Sequence, residues 1–310
     1  MRRRQWLVIA GAACAARVAA AQAMRIVVAY PPGGISDHVA RLLALRLGIV
    51  LQKSVIVENQ PGAGGGLALG ALARAAPDGN TLVFTAISPL ALAPHFGMPA
   101  PNVVPVSGVM HTPLLLVGTP ALAARNFADM VQEARANTLG LRWATSGVAT
   151  IGHMALEQVR RELKLDVVHV PYSGGAPQLQ DALAGRFELL STNLAPLQIE
   201  YVNSGKLTPL ALGAPTRSPF LPTVPTFAEV GAPAANLSSL FGLFAPPGTP
   251  AAEVARLNAA CAEVLAQAEF RKALAEGGNL PATGSAVEFA REIERQSDAN
   301  ARLAGLMRGR

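Results

Sequence analysis

Tyr30-Pro31-Pro32-Gly33-Gly34-Ile35-Ser36-Asp37 joins a six-residue strand candidate, Arg25 to Tyr30, to the start of a helical pattern. A strand, a glycine turn and a helix start leave backbone N–H groups unpaired, with the partial positive charge of the helix dipole behind them. Such a junction suits a carboxylate. A tight turn with Ser36 or Asp37 as an ordinary N-cap accounts for the same residues, so neighbouring segments decide between the two readings.

Small, hydroxyl-rich turns follow strand candidates later in the chain. They are Ala144-Thr145-Ser146-Gly147-Val148-Ala149-Thr150 running into Ile151-Gly152-His153, then Tyr172-Ser173-Gly174-Gly175, then Ser191-Thr192-Asn193. With Thr85 and Ser88 they could line a cleft with neutral donors and acceptors and orient a small polar ligand. No arginine sits in these turns. Each neutral hydrogen bond is worth only ~0.5 to 1.5 kcal/mol net, so several must converge on an anion to hold it. As single residues, each serves equally as a helix N-cap.

Other chemistries lack their residues. Glu58-Asn59-Gln60-Pro61-Gly62-Ala63-Gly64-Gly65-Gly66 follows a strand and opens a helix, yet G-x-G-x-x-G fails, because Leu67 or Leu69 falls where the third glycine belongs. No GxxxxGK[ST] loop occurs, and no G-x-S-x-G elbow. The five histidines, His38, His95, His111, His153 and His169, form no HxxxH or HExxH pair, so metal catalysis has no support and each is read as structural. Cys261 shares helical spacing with Val254, Leu257, Val264 and Leu265, the pattern of a small core residue.

The segments that position these turns alternate strand and helix. Strand 25–30, a helix from Ser36 to about Leu51, strand 54–58, helix 66–75 and strand 81–85 make βαβαβ wiring. Ile26-Val27-Val28, Val55-Ile56-Val57 and Leu82-Val83-Phe84 are apolar on both faces, which predicts a parallel sheet covered by helices on each side. Ligands of such sheets bind beyond the carboxyl ends of the strands. A crossover through Leu114-Leu115-Leu116-Val117 leads to a second αβ block: helix 126–137, strand 141–144, helix 151–163, strand 167–170, helix 176–184, and apolar runs at 187–190 and 210–212. The chain returns through Leu240 to Ala245 to two C-terminal helices, and two lobes joined by two crossings enclose a cleft.

The amino end reads as an export signal, with Arg2-Arg3-Arg4, an apolar stretch from Trp6 to Ala16, and Ala21-Gln22-Ala23, which predicts cleavage after Ala23. Arg3-Arg4-Gln5-Trp6-Leu7 fits a twin-arginine signal and the whole fits a Sec signal; Cys14 raises lipidation, although Gly11 stands where a lipobox has Leu. The formal charge of +6 is concentrated there: removing the four arginines of that segment leaves 22 basic against 20 acidic side chains. Nucleic-acid binding loses its support, and one remaining cysteine allows no intramolecular disulfide.

In order along the chain, Tyr30-Pro31-Pro32-Gly33-Gly34 with Asp37, Glu58-Asn59-Gln60-Pro61-Gly62-Ala63-Gly64-Gly65, Ala76-Pro77-Asp78-Gly79, Val168-His169-Val170-Pro171-Tyr172 with Gly174, Gly205-Lys206-Leu207, Arg217 to Thr226 and Phe241 to Pro246 resemble the Bug family of substrate-binding proteins, which serve tripartite tricarboxylate transporters. The resemblance implies a type II periplasmic binding protein with an α/β fold of two lobes. Each lobe would be a mainly parallel sheet flanked by helices, with two crossover strands. It implies residues 1–23 as signal, 24–118 plus 239–310 as one lobe and 119–238 as the other. It further implies a monomeric, non-enzymatic periplasmic receptor without a cofactor, which closes on a small carboxylate and hands it to integral membrane transporter subunits. Carried over residue by residue, Tyr30, Gly33, Gly34, Ser36 and Asp37 form the first-lobe loop beside Thr85 and Ser88, while Thr145, Ser146, Thr150, His153, Tyr172, Ser173, Gly174 and Thr192 face them.

The chain departs from the family pattern at Ala149, often Gly; at Ser173, usually Lys; at Asn80, frequently Tyr; and at Thr192, where an Asp commonly precedes Asn193. The loop from Gly97 to Pro105 is shorter than usual. Losing an acid at Thr192 removes a partner for a ligand ammonium group and favours a plain carboxylate over an amino acid. Two other functions remain open: a ligand-sensing partner of a membrane signalling receptor, and an exported enzyme using the glycine turns for a phosphate or nucleotide.

Overall fold

A computed structural model describes residues 23–308. The export signal, its twin-arginine pair and Cys14 lie outside the described residues. The chain begins β1 (Met24–Val28), α1 (Ile35–Leu51), β2 (Val55–Asn59), α2 (Gly66–Leu72), β3 (Thr81–Ala86) and the single-turn α3 (Ser88–Ala91). β1 runs parallel to β2 on one side and to β3 on the other, with Ile26 opposite Val57 and Leu82. Alternation along β1 then feeds two layers: Ile26 and Val28 pack with Val39, Leu43 and Leu47 of α1, and Val27 packs with Leu69 and Leu72 of α2. β2 is the sheet edge and leaves Ile56 exposed, so its apolar run is covered on one face only.

β4 (Val104–Gly118) is the strand that both halves share. Its residues up to Pro113 pair antiparallel with β9 (Ser238–Ala245), whereas Leu114–Gly118 pair with β7 (Leu189–Asn193) and β8 (Thr208–Gly213). The second half also holds α4 (Phe127–Ala136), β5 (Leu141–Thr145), α5 (Ile151–Leu163), β6 (Val167–Pro171), α6 (Gly175–Leu183) and α7 (Pro196–Asn203). β5 runs parallel to β6 and to β7. Residues 114–117 point alternately into two cores. Leu114 and Leu116 meet Trp143, Leu156 and Phe227, and Leu115 and Val117 meet Leu179, Phe187 and Leu190.

The fold is the two-lobed α/β architecture expected, with local differences. β9 enters antiparallel between β3 and β4, because the chain arrives there from the second half rather than from a helical crossover. Three helices, not two, follow β9 among the described residues: α8 (Ala251–Ala266), α9 (Ala268–Glu276) and α10 (Ala286–Arg308), with the short β10 (Leu280–Pro281) between the last two. One extended residue, Gln267 at φ −65° and ψ 130°, separates α8 from α9 and is concealed in the alanine-rich run. α1 starts at Ile35 with Gly34 as N-cap, so neither Ser36 nor Asp37 caps it. Cys261 is buried, as its spacing indicates, and burial pushes its thiol up to about 12. No helix among the described residues is long and apolar enough to cross a membrane.

Candidate functional site

The β1–α1 turn is held from below by two polar clusters. The Tyr30 hydroxyl accepts from Thr85 Oγ1 and the Ala86 N–H, each at 3.3 Å, and donates to the Gly64 carbonyl at 3.4 Å. Burial pushes that hydroxyl above its ordinary value, against the pull of the Thr85 and Ala86 bonds. Gly65, at φ +106°, explains the glycine run beneath it: an added Cβ would overlap Thr85 Oγ1. The glycine-rich turn therefore serves close packing under Tyr30.

Asp37 forms the second cluster. Its carboxylate accepts from the Gly33 N–H at 3.1 Å, Asn59 Nδ2 at 2.8 Å and Arg41 Nε at 3.1 Å. Asn59 also donates to the Tyr30 carbonyl at 3.1 Å. Burial alone would raise the Asp37 pKa, but the bonds from Arg41, Asn59 and Gly33 outweigh it and hold the carboxylate below its usual range. Asp37 thus braces the turn from within.

Above these clusters lies a cavity of about 620 Å³ between the two halves. On one side α1 with N-cap Gly34, and on the other α6 with N-cap Gly174 and α7 with N-cap Ala195, start on it without a side-chain cap. Their first-turn N–H groups have no intrahelical acceptor. Gly34 has an ordinary φ of −84°, and a Cβ added at Gly34 or Gly175 would meet nothing within 4 Å. Neither backbone conformation nor packing requires glycine at these two positions. Their effect is to leave main-chain amides uncovered on the cavity wall. By contrast Asn126 caps α4 and Thr150 caps α5 with their own side chains.

Of the residues singled out in the sequence, Tyr30, Gly33, Gly34, Ser36, Ser88, Ser146, Thr150 and Thr192 line the cavity. The others lie behind or beside it. Thr85 and Asp37 support the first turn as described. Thr145 is buried, and its hydroxyl bonds the Gly147 carbonyl at 3.1 Å and His169 Nε2 at 2.7 Å. His153 stacks on His169 with ring centroids 4.2 Å apart. Tyr172 turns its hydroxyl to Asp181 at 2.8 Å, and burial together with that carboxylate pushes it up to about 12. Ser173 is exposed, while Gly174 is buried against Pro31 of the facing half.

Ser191 and Asn193 on β7, from the third turn singled out in the sequence, also line the cavity, and residues that sequence reasoning passed over complete the wall: Gln178 on α6, Gln198 on α7 and Ser239 on β9. Ser239 donates to Asn193 Oδ1 at 3.1 Å and ties the two halves together beside the cavity. The missed signal was Pro196, which opens α7 at its first helical position. No group of three or more His, Cys, Asp or Glu side chains among the described residues is placed to hold a metal ion.

Residues 39–306 match the family described as "Tripartite tricarboxylate transporter family receptor". The chain belongs to that receptor family. It is 33% identical to Protein BugT of Bordetella pertussis over 283 residues, covering 88% of this chain and 86% of BugT. Among solved structures, R. palustris Rpa4515 with adipate superposes with a TM-score of 0.84 at 30% identity, covering 91% of this chain and 97% of that one. MatC (Rpa3494) from Rhodopseudomonas palustris with bound malate gives 0.83 at 28% identity, covering 91% and 98%. In this receptor the cavity lies between the two halves that share β4.

Proposed function

We propose that this receptor binds a small carboxylate in the interlobe cavity and delivers it to membrane subunits of a tripartite transporter, breaking no bond. The observation that carries the reading is the pair of uncapped, glycine-headed helix starts, α1 and α6, opening on one cavity from both halves. Unpaired amides with the helix dipole behind them favour an anion, and convergence from two lobes makes closure depend on the ligand. The bound adipate and malate of the two structural relatives support the same class of ligand.

In this reading the N–H groups of Gly34, Ile35 and Ser36 and of Gly175 and Ala176 hold the carboxylate, with Ser88, Ser146, Thr150 and Thr192 around them. The lobes that close are residues 24–118 with 239–310 and residues 119–238. β4 crosses between them near Pro113, where its pairing passes from one sheet to the other. The mature protein works in the periplasm as a monomer, reached by a Sec or twin-arginine signal.

Thermal denaturation in the presence of mono-, di- and tricarboxylates tests this, because a ligand at about 100 times its Kd stabilises the native state by about 2.7 kcal/mol. The expected result is a concentration-dependent rise in Tm with at least one carboxylate. A panel without any rise overturns the receptor reading.

A further inference from the structure

Gln178 is the fourth residue of α6 and lines the cavity, although only 1% of it is exposed. Its Nε2 donates to the Ser191 carbonyl of β7 at 3.0 Å. A carbonyl only accepts, so this bond fixes which end of the amide is which: the nitrogen faces β7 and Oε1 is the end left to the cavity. Oε1 takes no hydrogen bond from the described residues, and it is not enclosed as Gln198 Oε1 is. The groups next to it are already committed. The Ser191 hydroxyl accepts from Trp143 Nε1 and donates to the Gly152 carbonyl, and Pro177, one residue earlier on α6, has no N–H. One turn beyond the amides of Gly175 and Ala176, the wall therefore presents a fixed acceptor that asks for a donor.

We infer that the ligand carries a hydroxyl on the first or second carbon beyond the carboxylate held by α1 and α6, and that Gln178 Oε1 accepts from it and sets a preference for hydroxycarboxylates. The inference rests on the receptor reading above and narrows its ligand class. Gln178 lies three residues after Gly175, about 4.5 Å along the helix axis, and helical side chains lean back towards the N-terminus. Its Oε1 thus stands beside the first carbons of the ligand rather than its far end. A ligand with bare carbon there strips water from Oε1 and returns no donor, whereas a hydroxyl restores the bond. The donor is a hydroxyl and not an ammonium, because the positive ends of α1 and α6 repel a cation placed beside them.

Calorimetric titration of the purified receptor with matched pairs decides the matter: lactate and propionate, malate and succinate, citrate and tricarballylate, with both enantiomers of lactate and malate, and with aspartate set beside malate. In at least one pair the hydroxy acid is expected to bind at least tenfold more tightly than its deoxy partner. A smaller preference in every pair that binds overturns the inference and leaves the receptor reading standing. Aspartate binding as tightly as malate also overturns it. Binding by none of these compounds overturns the inference, while the wider carboxylate panel decides the receptor reading separately. Gln178→Met, of similar length but without the amide, is expected to lower the hydroxy-to-deoxy affinity ratio at least tenfold. The bond lost to Ser191 weakens both members of a pair alike, so the ratio reads Oε1. An unchanged ratio in a folded variant takes the hydroxyl away from Gln178, and if the variant does not fold, the wild-type pairs still decide.

Discussion

Phe96, from the segment after α3, and His153, in the first turn of α5, hold their rings 5.4 Å apart between the two halves of the protein. The contact belongs to an apolar cluster in which Leu92, Ala93, Met98 and Leu303 of the first half meet Ala149 and Met154 of the second. This cluster lies apart from the cavity lining and helps to set how the halves rest together. His153 sits at its margin, with Nδ1 accepting the Ala149 N–H at 3.2 Å, Nε2 4.0 Å from Glu157 and the ring stacked on His169.

Burial, and then the neighbouring His169, lower the His153 pKa from 6.5 to about 4. The folded state therefore binds this proton less readily than the unfolded chain, so protonation favours unfolding. The contribution to stability is complete above about 6.5 and is lost as pH falls from there towards 4, with an upper limit of about 3 kcal/mol. His153→Asn keeps an acceptor near Nδ1 and removes the titration. Its Tm is expected to fall less steeply than that of the wild type between pH 6.5 and 4; parallel curves would refute the assignment.

Gly34→Ala and Gly175→Ala separate binding from folding. Both glycines face open space, so a methyl group costs no packing, and reduced freedom of the unfolded chain adds about 0.4 to 1 kcal/mol of stability. The same methyl groups cover the amides on the cavity wall and are expected to weaken carboxylate binding at least tenfold. Tm and titration calorimetry on the same samples check both signs.

Asp37→Ala removes the acceptor of the Gly33 N–H, Asn59 and Arg41 together. Loss of this part-buried cluster is expected to cost about 1 to 3 kcal/mol of stability and to loosen the turn, weakening ligand binding as well. Asp37→Asn keeps one carbonyl acceptor and should retain more of both, as measured by urea denaturation and ligand titration. Equal loss in the two variants would assign the effect to charge alone.

Gly174→Ala probes closure. The added Cβ would stand 2.9 Å from Pro31 Cδ, closer than folded proteins accept, and relief requires the facing turns to part. The expected outcome is a loss of affinity of about tenfold, equal to about 1.4 kcal/mol, with a larger radius of gyration for the ligand-bound form by small-angle scattering. Unchanged affinity and dimensions would show that the turns do not meet on closure.

Local order made much of this protein legible from its residues. Apolar triplets such as Ile26-Val27-Val28 can bury both faces only inside a helix-covered sheet, and glycine turns after strands mark where ligands approach, so the two-lobed α/β architecture and the β1–α1 turn followed directly. The role of each turn residue did not, because it depends on partners far along the chain. Asp37 looks outward in sequence and is drawn inward by Asn59 and Arg41; Thr85 is hidden under the Tyr30 hydroxyl; Thr145 is consumed by His169. Tertiary packing also brought Gln178, Gln198 and Ser239, from three separate elements, to one wall. A short periodic pattern determines which face of a segment is apolar, but which polar group remains unpaired is decided only when distant segments meet and satisfy, or fail to satisfy, one another's hydrogen bonds.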